Sequence, residues 1–222
     1  MSETPPPRGT PPAAAAVPVR RGRLFVVSGP SGVGKDTVLA RLHELVPDAV
    51  RCVTATSRPP RANEVEGRDY FFVSVTRFRE MVEADEFLEY ATVHEKLYGT
   101  PRAWVEEQRA AGRDVILKID VQGGLTVRTR VHDAVLVFLT PPSVAELERR
   151  LRARLTDTED QINIRLLDAR SELQQIPNYD FSVVNDEIEQ AAGLLRAIIL
   201  AERARIHPQS AHAHYPYDFR AS

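Results

Sequence analysis

The chain of 222 residues has one cysteine, Cys52, and only three lysines, Lys35, Lys96 and Lys118, among its 29 basic residues. A lone cysteine excludes an internal disulfide framework and a zinc site built from several thiolates, and it fits a reducing compartment. No apolar run approaches the roughly 18 residues that a membrane helix needs. Ala13–Val17 is too short and too closely flanked by proline to serve as the apolar core of a secretory leader, so a cytoplasmic location is expected. An excess of positive charge is also missing. With a formal net charge of -2 the chain has no bulk field for a phosphate backbone, so neither nucleic acid nor a membrane is an expected partner. The 43% of hydrophobic residues suffice for one large or two small cores. Because the other 26 basic residues are arginines, an arginine at a useful position says little here and a lysine says more.

Residues 1–20 hold six of the sixteen prolines and almost no large apolar side chain, too little burial to offset chain entropy, and are expected to lie outside the fold. Small and polar residues broken by Pro208 and Pro216 predict a second tail over 207–222, whose His212 and His214 are too few for a metal site. Between the tails, short apolar runs alternate with amphipathic stretches. Leu24–Ser28, Val115–Ile119, Val135–Leu139 and Phe181–Val184 read as strands, and about 35–45, 143–154, 159–175 and 187–206 as helices. Ser143 with Glu146 three residues on has the spacing of a capping box. The alternation predicts an α/β fold with a parallel sheet covered on both faces. Segment 54–104 breaks the pattern, with Tyr70–Val73 and Phe87–Val93 around a helical Arg77–Ala84, and reads as an α+β lobe inserted between two core strands.

Gly29-Pro30-Ser31-Gly32-Val33-Gly34-Lys35 stands directly after one predicted strand and directly before a helix, the setting of a P-loop. Its glycines let successive backbone N–H groups wrap a phosphate, and the helix behind adds its positive end. Lys35 is placed to reach the outer phosphates as a compact charge. Asp36 and Thr37 follow where Ser or Thr usually comes first; the Asp36 carboxylate is a candidate Mg2+ ligand, direct or through water, but adds negative charge beside a triphosphate.

Further along come Thr54-Ala55-Thr56-Ser57-Arg58-Pro59-Pro60-Arg61, Glu64-Val65-Glu66-Gly67-Arg68-Asp69-Tyr70-Phe71-Phe72-Val73 and Phe87-Leu88-Glu89-Tyr90-Ala91. Tyr98-Gly99-Thr100, Ile119-Asp120-Val121-Gln122-Gly123, Pro141-Pro142-Ser143 and Val184-Asn185-Asp186 complete a colinear series. Together with the loop, this series closely resembles guanylate kinase over about 21–206. The resemblance implies a P-loop three-layer core over 21–53, 114–142 and 166–206, a GMP-binding lobe over 54–104 with a connecting helix over 105–113, and a helical lid over 143–165. It implies that Arg58, Arg61, Tyr70 and Tyr98 hold the GMP phosphate, and that Glu89, Thr100 and Asp120, with Thr54 and Gly99 beside them, take the guanine side. ATP would lie along residues 29–37 with Asn185 at its adenine. Lys35, Arg58, Arg150, Arg154 and Arg165 would form the catalytic set, the last three on the lid.

The chemistry of these residues agrees. Guanidinium forks bind phosphate oxygens in pairs, and fixed cations suit the charge spread of phosphoryl transfer. A carboxylate at Glu89 can accept from N1–H and the 2-amino group of guanine, which adenine lacks. Without the resemblance plainer readings stand: Arg58 and Arg61 as a solvated loop, Tyr70 and Tyr98 as half-buried lobe residues, the arginines of 149–154 as a basic surface, and Asn185-Asp186 as a turn. Glu89 is harder to place so, since a carboxylate in an apolar strand needs a partner or a cleft.

Besides Asp36, three positions depart from the family's usual pattern, the mildest being Thr54, which keeps the hydroxyl of the usual serine and adds a methyl group. Lys118 takes a position usually acidic, on the same side of its strand as Asp120, which puts it either close to the phosphates or in a pair with Asp36; Leu155 replaces a glycine. The implied reaction is transfer of the γ-phosphoryl group of MgATP to GMP, and to dGMP since nothing in the sequence reads a ribose 2′-hydroxyl. This places the chain in purine nucleotide metabolism and GMP recycling. Two competitors remain: an interaction module gripping a phosphorylated peptide in the same pocket, and a P-loop kinase for another phosphorylated small molecule.

Overall fold

The computed structural model describes residues 20–93, 95–153 and 159–205. Residues 1–19 and 206–222, with His212 and His214, lie outside these ranges, as do Arg154 and Leu155.

Strand β1 (Leu24–Ser28) is buried along its whole length, as an unbroken apolar run covered on both faces requires. Its pleat sends Phe25 and Val27 to one side, where they join Val38 and Leu42 of α1 (Lys35–Leu45) and Leu195 and Ile199 of α7 (Ile188–Ala204). Leu24 and Val26 face the other side and join Val105 of α3 (Arg102–Ala110), Leu117 of β7 (Val115–Lys118) and Val127 of α4 (Val121–Arg130). With β2 (Val50–Arg51), β8 (Val135–Thr140) and β9 (Phe181–Val184) these strands form a sheet in the order β2-β7-β1-β8-β9, every pair parallel. Parallel strands end on one edge. The glycine loop after β1, Lys118 and Asp120 at the end of β7, and Asn185 after β9 therefore meet there, the usual ligand edge of such sheets.

Between β2 and β7 the chain forms a second sheet from β3 (Thr54–Thr56), β4 (Tyr70–Phe72), β5 (Phe87–Val93) and β6 (Lys96–Pro101), in the order β4-β3-β6-β5. Its small core stacks Phe78 of α2 (Val75–Glu83) on Phe87, ring centroids 4.6 Å apart. Helices α5 (Val144–Arg152) and α6 (Glu159–Leu173) follow β8; α6 runs without a break across the expected 165/166 boundary. No helix among the described residues is long and apolar enough to cross a membrane.

The predicted long strands and helices are present, with ends shifted by a few residues. Helix α2 begins two residues earlier than expected because the Ser74 hydroxyl caps it, accepting from the Arg77 N–H at 3.0 Å. Helix α4 escapes a periodicity reading, since its first turn carries two poor helix formers, Gly123 and Gly124; a cap starts it, Asp120 Oδ1 accepting from Gly123 N–H at 2.7 Å. At Ser143 half of the capping box forms: its hydroxyl accepts from Glu146 N–H at 3.1 Å, while the Glu146 carboxylate turns to Arg149 and Arg150.

Candidate active site

Gly29, Gly32 and Gly34 have φ of 144°, 85° and 96°, a region that side chains with a Cβ rarely adopt. Space imposes the same choice, because a Cβ on Gly29 would lie 2.2 Å from the Leu139 carbonyl oxygen and one on Gly34 2.5 Å from Asn185 Nδ2. Helix α1 starts at Lys35, so its N-terminus opens at the loop. Over the loop lies a hollow of about 230 Å³ lined by Ser31, Gly32, Gly34, Lys35, Asp36 and Thr37. The Lys35 ammonium donates to the carbonyls of Gly29 and, at 3.1 Å, of Pro30. Burial draws its pKa down to about 8, and the Lys118 charge pulls the same way against Glu172, Asp36 and Asp120.

Two of the expected residues brace this loop. Asn185 is buried and donates from Nδ2 to the Val33 carbonyl at 2.7 Å. Arg150 reaches from α5 to the carbonyls of Asn185 at 3.1 Å and Val33 at 3.4 Å, while Nε holds Glu146 at 2.7 Å. The other arginines of α5 turn elsewhere: Arg149 forms a two-pronged pair with Glu146, and Arg152 binds Glu148 and Glu159. Val33 thus acts through its backbone carbonyl. Arg165 is half-buried on α6.

A cleft of about 380 Å³ runs from the loop to the second sheet. Lys35 and Lys118 line it, as do Glu89 and Asp120, with Thr54, Tyr70 and Tyr98 among the other walls. Glu89 on β5 is only 6% exposed and accepts from the hydroxyl of Thr100 on β6. Burial pushes its carboxyl up to about 7; the Thr100 bond resists that shift and the Asp120 charge adds to it. A Cβ on Gly123 would stand 2.9 Å from Glu89 Oε2 and 3.4 Å from Asp120 Oδ1, so the absent side chain lets both carboxylates approach. Gly99 likewise has no room for a Cβ, which would meet the Phe87 ring at 2.8 Å. A cleft that joins lysines beside the loop to a buried carboxylate on the second sheet suits a molecule that carries both phosphate and N–H donors.

Arg58 stands behind the wall, its guanidinium 5.2 Å from the Tyr70 ring centroid, and its fork is filled by the Glu64 carboxylate at 2.8 Å on both prongs. Glu64 also accepts from the backbone N–H of Arg61, whose side chain is exposed. Tyr70 and Tyr98 touch edge to face at 6.1 Å between centroids.

Sequence reasoning missed Glu172, which lines the same cleft from α6; burial pushes its carboxyl up to about 7 against the Lys35 charge. The sequence offers no clear signal for it, because Ile164 and Leu167 are exposed while Ile162 and Ala169 are buried, and only the structure shows that Glu172 continues the buried stripe three residues on. The pairing of Lys118 with Asp36 does form, with the Lys118 ammonium 2.6 Å from Asp36 Oδ1 and Arg51 3.9 Å from the same oxygen. Burial pushes the Asp36 carboxyl up, but the Lys118 bond and the charges of Lys118, Arg51 and Lys35 outweigh it and hold the pKa below the usual range. Among the described residues no group of three or more His, Cys, Asp or Glu is placed to hold a metal by itself. With Lys118 on Oδ1, the Asp36 carboxylate meets a nucleotide-borne Mg2+ only through Oδ2 or a bridging water.

A family model described as Guanylate kinase matches residues 21–202 of this chain. The guanylate kinase of Syntrophomonas wolfei is 48% identical over 187 residues, covering 84% of this chain and 96% of that protein. That of Myxococcus xanthus is 48% identical over 185 residues, 83% of this chain and 88% of its own. Among solved structures, guanylate kinase from Anaplasma phagocytophilum matches with a TM-score of 0.67 at 32% identity, over 84% of this chain and 88% of that one.

Proposed function

The chain belongs to the guanylate kinase family and is an ATP:GMP phosphotransferase, and from that premise we propose how its residues divide the work. MgATP sets its phosphates along residues 29–37, with Asn185 toward the adenine, and the metal enters as part of this substrate, neutralising its outer oxygens. GMP lies in the cleft with its base on Glu89, Thr100 and Asp120, beside Thr54 and Gly99, and its phosphate toward Tyr70, Tyr98, Arg58 and Arg61. One GMP phosphate oxygen attacks the γ-phosphorus in line; the bond from that phosphorus to the β–γ bridging oxygen breaks, its electron pair leaves with ADP, and GDP forms. Lys35, Arg150 and Arg165, with Arg154, supply fixed positive charge for the transferring oxygens, and no covalent enzyme intermediate is needed. As the lid, α5 and the start of α6 close over the phosphates and keep water out. The reaction returns GMP to the diphosphate pool in purine nucleotide metabolism, in the cytoplasm, and dGMP serves as a second acceptor.

The observation that carries this reading is one cleft joining Lys35 to a buried Glu89. Guanine presents two N–H donors to a carboxylate, whereas adenine turns an acceptor toward it. Such a mismatch costs about 1–3 kcal/mol. The test is ADP formation from MgATP with GMP, dGMP, AMP, CMP and UMP side by side. GMP and dGMP should turn over at least about tenfold better than AMP, as that mismatch requires. Lys35→Ala should lose about 10³-fold, the scale of removing one preorganised donor from a transition state. Folded protein that binds GMP yet forms no ADP with any acceptor would mark the pocket as a docking module instead.

A further inference from the structure

We propose that Lys118 binds nucleotide phosphate directly, with Asp36 as its positioning residue, so that the pair adds a fixed cation at the loop. The proposal rests on the phosphotransferase reading above.

Position is the first argument. Lys118 ends β7 in register with Val27, two residues before the loop begins on the neighbouring strand. Its ammonium lines the same cleft as Lys35 and sits 2.6 Å from Asp36 in the first turn of α1. Among the described residues Asp36 is its one hydrogen-bond partner, so of three ammonium protons two remain for a ligand.

Energetics is the second argument. The Asp36 side chain is 74% exposed, and an ion pair so open to water adds too little to folding to explain the arrangement. Two ammonium groups share a cleft although they repel, a repulsion that helps to lower the Lys35 pKa. A polyanion between them turns that repulsion into attraction. The carboxylate of Asp36 alone would oppose a phosphate on the loop; with Lys118 on it the pair is neutral. Exchanging the two for a hydroxyl and a carboxylate, Asp36→Thr with Lys118→Glu, would make this spot one unit more negative and leave charge neutralisation to a metal ion.

The test is calorimetric titration of the full chain with ADP, in excess EDTA and again with Mg2+. Lys118→Met should weaken metal-free ADP binding about tenfold, the lower end for a hydrogen bond to a charged group. Lys118→Arg should bring it back to within about threefold, since the charge is kept while the geometry changes. The double variant Asp36→Thr/Lys118→Glu should gain at least about tenfold more from Mg2+ than the wild type does, because the lost hydrogen bond to charge is then supplied by the ion. Unchanged metal-free affinity in folded Lys118→Met, or equal Mg2+ gains in wild type and double variant, would overturn the proposal. Should the methionine variant not fold, Lys118→Gln serves the same comparison. Wild type that forms no ADP with GMP would instead sink the underlying kinase reading, and the titrations in EDTA stay separate from that result.

Discussion

The phosphate end of the cleft and its base end are built in opposite ways. Residues 29–37 form the first from one stretch of chain whose left-handed glycines leave no choice of shape. The second collects Thr54, Glu89, Thr100 and Asp120 from three strands and a helix cap, and its central group is one buried carboxylate. At the first, backbone geometry grips the anion and lysine side chains add charge; at the second, one buried carboxylate reads the base. The two ends also titrate in opposite directions. Lys35 sheds its proton as the pH rises through about 8, so affinity for phosphate falls on the alkaline side. Glu89 takes up a proton as the pH falls through about 7, so it loses the form that accepts from guanine on the acid side. The KM for ATP should therefore climb above about pH 8 and the KM for GMP below about pH 7, each limb steepening toward tenfold per pH unit.

The sharpest way to break the phosphate end touches no charged group. In Gly34→Ala the new methyl meets Asn185 Nδ2 at 2.5 Å with φ held at +96°. An alanine in left-handed backbone costs about 1–2 kcal/mol, and losing the Asn185 bond to Val33 about 1 kcal/mol more. Urea unfolding should show a stability loss of about 2–3 kcal/mol from these two terms, together with a collapse of ADP affinity. Full stability and affinity in this variant would mean that the loop does not depend on its backbone shape.

The same contrast explains what could be read without a structure. Loop, β1 and α1 declare themselves in consecutive residues, and the long apolar strands need only a run of Val, Leu and Ile. Strand β3 is three residues of Thr-Ala-Thr, and β6 carries Gly99 in its middle, so neither shows alternation; they become strands by pairing with each other across more than forty residues. Helix α4 depends on a cap. Glu89 stood out as a charge in an apolar strand, and strand alternation brought Lys118 to the loop while leaving open whether it meets the phosphates or Asp36. Glu172 required knowing which face of α6 is buried, and the filling of Arg58 by Glu64 is a side-chain choice between two arginines that sequence leaves open.

At the base end the larger test is Glu89→Gln. An amide keeps the size and offers one acceptor in place of two, so preference for GMP over AMP should fall by about 1–3 kcal/mol. The acid limb of the GMP profile should flatten in the same variant, leaving only the ionisation of GMP itself. An unchanged profile would show that another group sets that limb, Glu172 being the first to examine.

Thr100→Val gives the smallest effect and the finest distinction between the two ends. The hydroxyl it removes is 1% exposed and donates to Glu89, holding the carboxylate form against the pull of burial. Without that bond Glu89 should take up its proton at a higher pH, and the acid limb for GMP should move toward the alkaline side. Near pH 7 the KM for GMP should rise by about fivefold, equivalent to roughly 1 kcal/mol for one hydrogen bond. Part of that deficit should vanish near pH 9, where Glu89 is ionised in both proteins, and the remainder is any direct contact of the hydroxyl with the base. The KM for ATP should not move, because Lys35 and the loop take nothing from Thr100. A rise in both constants would show instead that the two ends are mechanically joined through β6 and the wall of the cleft.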